Sequence, residues 1–186
     1  MKLHATALAG LVEIETQPHS DARGRFTRLY CEQTLHRVAP GLRVQQINHS
    51  ISTTRGTLRG LHYQRGAAAD GKLVRCLRGR VFDVSVDLRP DSPTRGLWHA
   101  LELCQDGPRQ IWIPPGFAHG FQTLTDNAEL LYLHTAPHAP AHEAGIRYDD
   151  PQLCIAWPLP PQALSARDLQ LPWMDETLRM PCTSTP

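Results

Sequence analysis

Arg80-Val81-Phe82-Asp83-Val84-Ser85-Val86-Asp87-Leu88 alternates along its length: Phe82, Val84, Val86 and Leu88 fall on one side of an extended chain, Val81, Asp83, Ser85 and Asp87 on the other. A period of two marks a β-strand, and a wholly apolar face backed by a mostly polar one predicts a sheet with one buried face. The neighbouring segments have the same character. Upstream, Arg43 to Ser52, Leu58 to Gln64 and Lys72 to Leu77 read as strands. Downstream, Leu97 to Cys104, Gln110 to Ile113, Phe117 to Leu124 and Ala128 to Thr135 continue the series. Gly79, Pro90, Gly96, Gly107, Pro114-Pro115-Gly116 and Asp126-Asn127 punctuate them with turn chemistry. Many short strands at close spacing predict an all-β protein, an antiparallel sandwich or barrel of jelly-roll type.

Nearer the start, Leu8 to Gln17 reads as an opening strand, Asp21-Ala22-Arg23-Gly24 as a turn and Arg25 to Tyr30 as a further strand. Cys31 to Val38 reads as about two turns of helix ended by Pro40-Gly41, one of few helical segments. Beyond Pro137 the chain becomes loop-rich, and the prolines at 151, 158, 160 and 161 predict an arm that wraps the barrel. Asp175 to Pro186 is expected to be a loosely held tail. No linker or charge run divides the 186 residues, so one domain spanning 1–186 is expected.

Charge and cysteine content exclude several function classes. Nineteen basic and eighteen acidic residues leave a net charge of +1, which gives no global field for nucleic acid or a membrane surface. Any anion site must be local. No segment has the apolar length to cross a bilayer, and Met1-Lys2-Leu3-His4-Ala5-Thr6 lacks the core of a signal peptide, so the reading is a cytoplasmic protein. Cysteines 31, 76, 104, 154 and 182 are odd in number, widely spaced and without a Cys-x-x-Cys pair. That pattern predicts reduced thiols rather than a disulfide framework or a structural zinc site.

The chemistry-bearing stretch is Arg59-Gly60-Leu61-His62-Tyr63-Gln64. His62 is a candidate general base, because an unperturbed imidazole can exchange a proton near neutrality, although a lone strand histidine is more often half-buried with one satisfied hydrogen bond. Lys72 opens a strand, where it could stabilise an anion or simply be solvated. Tyr132, between Leu131 and Leu133, reads by itself as core-lining, and Asp168 as a surface residue near a helix end. Arg59 and His62 are three residues apart and would face opposite sides of a regular strand. Both reach one pocket only if Gly60 introduces a bulge or kink. Pro114-x-Gly116-x-x-His119 resembles half of a cupin metal site, but His-x-His is missing from the chain. The missing half makes a metal-dependent oxygenase a distant alternative; a non-catalytic binding module would be expected to have lost one of His62, Tyr132 or Asp168, and all three are present.

Asp21 to Phe26, Gln46 to Ser50, Gly56 to Gln64, Gly71 to Arg75, Phe82 to Arg89, Ile113 to Phe121, Glu129 to Tyr132, Gly145 to Pro151 and Ser165 to Asp168 together resemble the dTDP-4-dehydrorhamnose 3,5-epimerase family, in the same order and over almost the whole chain. The resemblance implies a cupin-like jelly roll that works without metal or other cofactor and forms a homodimer. It implies a nucleotide-diphosphate 4-keto-6-deoxyhexose as substrate, epimerised at C3 and C5. It assigns His62 as base, Asp168 as the partner fixing its imidazole, Lys72 to enolate or phosphate stabilisation and Tyr132 as acid on the far face of the sugar. Arg23, Arg59, Arg167, Gln46, Asn48, His119 and Glu143 match positions that contact substrate. Two positions depart from the family pattern: Arg28 stands where an acidic residue is usual, and His138 where a tyrosine stacks on the base. Both count as substrate-binding candidates at the nucleotide end, and they leave open a single-position epimerase or a CDP-sugar.

Overall fold

The structure is a computed structural model that describes residues 1–41 and 43–174. Two antiparallel sheets pack face to face. The first has the order β1 (Lys2–Ala5), β2 (Val12–Glu15), β10 (Arg109–Ile113), β7 (Lys72–Arg78), β12 (Ala128–His134), β5 (Gln46–Ser52). The second runs β13 (Glu143–Gly145), β6 (Leu58–Gln64), β11 (Phe117–Thr123), β8 (Arg80–Asp87), β9 (Trp98–Cys104). A separate hairpin pairs β3 (His19–Asp21) with β4 (Gly24–Phe26), and the α-helices are single turns, α1 (Glu32–Leu35) and α2 (Ala166–Leu169). This is the expected cupin-like jelly roll with few short helices.

The core lies between the sheets. Val74, Ile111 and Leu130 from the first sheet meet Val81, Leu103 and Phe121 from the second. Burial of such side chains contributes about 1.5–3 kcal/mol each relative to exposure, so this cluster is the main adhesive of the barrel. Further along the same strands the inward positions turn polar. β12 places Leu130 in the core and then Tyr132 and His134 at a cavity; β7 places Val74 in the core and Lys72 at the same cavity. One end of the sandwich is thus solid and the other is a site.

The expectation of a single buried face on β8 needs correction. Val84 and Val86 are fully buried, but Asp83, Ser85 and Asp87 are buried to within one per cent as well. Alternation reports the polarity of each face and not whether another layer covers it. The apolar outer face carries Val84 and Val86 beneath Ile146, Leu153 and Met174 of the C-terminal arm. The polar face looks inward, where its carboxylates are bonded: Asp83 to His119 at 2.8 Å, and Asp87 to Arg89 at 2.6 Å, Ser92 at 2.5 Å and Thr94 at 2.7 Å. The first sheet is likewise covered outside, with Ile14, Leu73, Trp112 and Leu133 beneath Leu35 and Ala39.

Element boundaries near the start of the chain differ most from expectation. The strand expected over 8–17 is confined to β2, and an unexpected strand, β1, precedes it and pairs with it across the Thr6–Leu11 turn. The strand expected over 25–30 stops at Phe26, the one expected from Arg43 starts at Gln46, and α1 covers four residues within the segment expected as helix. Cys31, Cys76 and Cys104 are free thiols, whereas Cys154 is disulfide-bonded, against the expectation of reduced thiols; spacing along a chain does not report which sulfurs meet in space. The tail expected over Asp175 to Pro186 lies outside the described residues.

Candidate active site

Along β6 and its partner β11, His62 pairs with His119 and Arg59 pairs with Phe121, so the register shifts between the two pairs. Three steps on β6 match two on β11. Gly60 absorbs the difference at φ +111°, and a Cβ on it would lie 2.7 Å from Gly120 Cα and from the His119 carbonyl oxygen. Only glycine fits there. The bulge turns Arg59 and His62 to the same side, and both line a cavity of about 830 Å³ with Lys72, Tyr132, Arg167 and Asp168.

Asp168 is not a surface residue: it is 4 % exposed, in the first turn of α2, whose N-cap Ser165 accepts a hydrogen bond from the Asp168 backbone N–H at 3.0 Å. Its Oδ1 lies 2.6 Å from His62 Nε2, and Oδ2 accepts from the Gly60 N–H at 3.4 Å. Burial pushes this carboxyl up, but the hydrogen bond and charge of His62, with help from Gly60 and Ser165, outweigh it and hold the carboxyl below the usual aspartate range. An ionised carboxylate only accepts, so His62 Nε2 carries a proton, and in the neutral ring Nδ1 is the nitrogen with the lone pair. That is the tautomer of a base.

Tyr132 faces this imidazole from the opposite sheet. Burial, and secondarily the charge of Asp83, pushes its phenol well above the ordinary tyrosine value, so it carries its proton across the working pH range. Its ring stacks on His134 with centroids 5.8 Å apart and meets His119 edge-on at 6.1 Å. Lys72 has no hydrogen bond or ion pair among the described residues. Burial pulls its ammonium below the ordinary lysine value, partly offset by Asp70, Asp83 and Glu143. An unpaired cation at a cavity wall is a receptor for an anion. Arg59 likewise has no carboxylate partner among the described residues; it donates to Ser52 Oγ at 3.2 Å and to the Ile51 carbonyl at 3.4 Å.

The remaining sequence candidates divide. Gln46, Asn48, His138 and Glu143 line an adjoining cavity of about 270 Å³ that shares Asn48, His62, Lys72, His134 and Arg167 with the larger one. Glu143 bonds both His138 at 2.9 Å and Arg167 at 2.8 Å. His119 lies in the larger cavity, bonded to Asp83. Arg23 and Arg28 are not brought to it. Arg23 sits in the β3–β4 turn, 90 % exposed and paired with Asp21 at 2.6 Å, and Arg28 is exposed in the segment that follows. Sequence reasoning overlooked Asp83, Asp70 and His134. The polar face of β8 pointed to the first, and the two-residue spacing from Tyr132 to the third; Asp70 read only as part of a turn. Among the described residues no three His, Cys, Asp or Glu side chains gather into a metal-binding cluster.

A jelly-roll barrel that sets a carboxylate-fixed imidazole across from a protonated phenol, with a free ammonium between their sheets, is equipped to take a proton from a carbon acid and return one. Fold and site together define a protein of the cupin-like class with acid–base equipment in its cavity. Residues 5–176 match the family of dTDP-4-dehydrorhamnose 3,5-epimerases. The dTDP-4-dehydrorhamnose 3,5-epimerase of Salmonella typhimurium is 45 % identical over 178 residues, covering 93 % of this chain and 95 % of that protein. A solved dTDP-6-deoxy-D-glucose-3,5-epimerase from Legionella pneumophila, in complex with dTDP-4-keto-L-rhamnose, superposes with a TM-score of 0.88 at 39 % identity over 97 % of this chain and 99 % of its own. The dTDP-4-dehydrorhamnose 3-epimerase of Streptomyces niveus is 38 % identical over 90 % of this chain and 81 % of its own. The chain belongs to the dTDP-4-dehydrorhamnose 3,5-epimerase family and is an isomerase.

Proposed function

We propose that this chain, acting as one domain, converts dTDP-4-dehydro-6-deoxy-D-glucose to dTDP-4-dehydro-L-rhamnose by inverting C3 and C5 in turn. The observation that supports the reading is that His62 and Tyr132 stand on opposite sheets across one cavity, the first with Nε2 on Asp168 and the second with its phenol held protonated by burial. His62 Nδ1 takes the proton from the carbon beside the ketone. The charge that develops on the ketone oxygen is met by Lys72, whose ammonium has no competing partner among the described residues. Tyr132 then returns a proton to the other face. Asp168 holds the imidazole and balances the imidazolium that forms. Arg59 and Arg167 supply donors for the diphosphate, and Gln46, Asn48, His138 and Glu143 form the rim toward the nucleotide.

The placement of Arg23 and Arg28 outside their own chain's cavity fits a homodimer in which the exposed β3–β4 hairpin, with Phe26 73 % exposed at its end, reaches the site of a second copy. The enzyme is read as cytoplasmic; no helix among the described residues is long and apolar enough to cross a membrane. Incubation with dTDP-4-dehydro-6-deoxy-D-glucose in heavy water, followed by NMR, tests the reaction. Deuterium at both C3 and C5 is expected. Deuterium at one carbon alone makes this a single-position epimerase, and deuterium at neither overturns the reading.

A further inference from the structure

The cavity rim carries a chain of hydrogen bonds whose direction is fixed at both ends. At one end the His138 backbone N–H, which can only donate, reaches Gln46 Oε1 at 3.1 Å. That leaves Gln46 Nε2 to donate to Asn48 Oδ1 at 3.0 Å. Asn48 Nδ2 is then a donor and lies 3.3 Å from His134 Nε2. At the other end Asp70 Oδ1 accepts from the N–H groups of Thr135 and Ala136, both at 3.0 Å, and Oδ2 lies 2.5 Å from His134 Nδ1. The Asp70 and His134 side chains are only 4 % and 15 % exposed, so at this end water has little room to relieve a mismatch, whereas the Asn48 end is exposed. One assignment satisfies every contact: His134 neutral, with the proton on Nδ1 and the lone pair of Nε2 accepting from Asn48. The other neutral tautomer sets two donors against each other at Asn48, and turning Asn48 and Gln46 over only moves the conflict to the His138 N–H.

We propose that His134, held as the Nδ1–H tautomer by Asp70, is a positioning residue that orders the amides of Asn48 and Gln46 for the ligand. The inference rests on the epimerase reading for what that ligand is, but the relay exists without substrate. Its ring face packs on Tyr132, so the side chain that orders the rim also borders the proposed acid. Asp70 and His134 act through these neighbours, and neither is assigned a contact with the reacting carbons. The relay spans β5, β12 and the loop before β7, which ties rim geometry to the barrel rather than to a loop.

Two measurements test this. Nitrogen-15 NMR of the substrate-free protein reads the His134 tautomer directly: a protonated Nδ1 with a lone pair on Nε2 is expected, and a protonated Nε2 overturns the proposal. The second uses Asp70→Asn, which keeps an oxygen for the two backbone N–H groups and turns an amide N–H toward His134. The tautomer should then switch to Nε2–H, and KM should rise about tenfold as the rim amides lose their order, with kcat changed less than about threefold. A switched tautomer with unchanged KM, an unswitched tautomer, or a loss confined to kcat would each overturn it. If Asp70→Asn does not fold, the wild-type spectrum still decides. Absence of deuterium uptake by the wild type would sink the epimerase reading and leave the tautomer result standing.

Discussion

Asp168 and Lys72 carry opposite charges into the same cavity, and their environments move both away from ordinary behaviour. The Asp168 carboxyl is lowered from the ordinary value of 3.8, so the folded state holds its proton less tightly than the unfolded chain does. Its contribution to stability is therefore present above about pH 4 and is lost as the pH falls through the lowered folded value. Urea midpoints measured from pH 6 to pH 2 should fall more steeply for the wild type than for Asp168→Asn, and parallel curves would contradict the assignment. Lys72 gives a slope of the same sign for the opposite reason, since here it is the charged form that folding disfavours. Its ammonium is disfavoured by folding, so stability rises as the pH climbs through the lowered folded value toward 10.5. Lys72→Met should raise stability by about 0.5–2 kcal/mol, visible as a higher Tm, while epimerase activity is lost. A lower Tm would mean that Lys72 has a stabilising partner that the geometry lacks.

At the scale of elements, the β6–β11 pair decides whether a site exists. Regular pairing would send Arg59 and His62 to opposite faces, and the bulge at Gly60 sends both inward. Gly60→Ala places a Cβ against the backbone of β11 at a φ reserved for glycine, so unfolding free energy should fall by about 3 kcal/mol and activity should fall with it. Wild-type stability and activity in this variant would show that β6 reaches its register in some other way. The bulge was legible in the sequence because the spacing of two functional residues conflicted with the strand period. The second burial of β8 was not, since nothing in Asp83-Val84-Ser85-Val86-Asp87 says that an arm some sixty residues later will cover the valines. β13 escaped notice for a related reason: at three residues it takes its strand character from pairing with β6, not from its own composition.

Over the whole molecule, what the sequence carried best was what depends on period and turn chemistry: the succession of strands, the two-layer barrel and the proline-rich arm. His62, Tyr132 and Lys72 were legible as chemical types, while the burial of Asp168 and the pairing of Asp83 with His119 and Asp70 with His134 depend on contacts between segments 36 to 106 residues apart. Arg23 and Arg28 lie beyond what one copy of the chain can explain. If Arg23 acts on the site of a second copy, mixing His62→Ala with Arg23→Ala subunits should restore about a quarter of wild-type activity, because half the dimers are mixed and each has one complete site. Activity no higher than the sum of the two variants alone would place Arg23 outside the reaction.

The division of labour across the cavity is open to one direct comparison, deuterium exchange against net inversion in His62→Ala and Tyr132→Phe. Without His62 no proton leaves carbon, so exchange and inversion should fall together by about two to four orders of magnitude. Without the Tyr132 hydroxyl the proton can still leave and return from the His62 side, so exchange at C3 and C5 should persist well above inversion. Equal loss of exchange and inversion in Tyr132→Phe would contradict the assignment of Tyr132 as the acid on the opposite face.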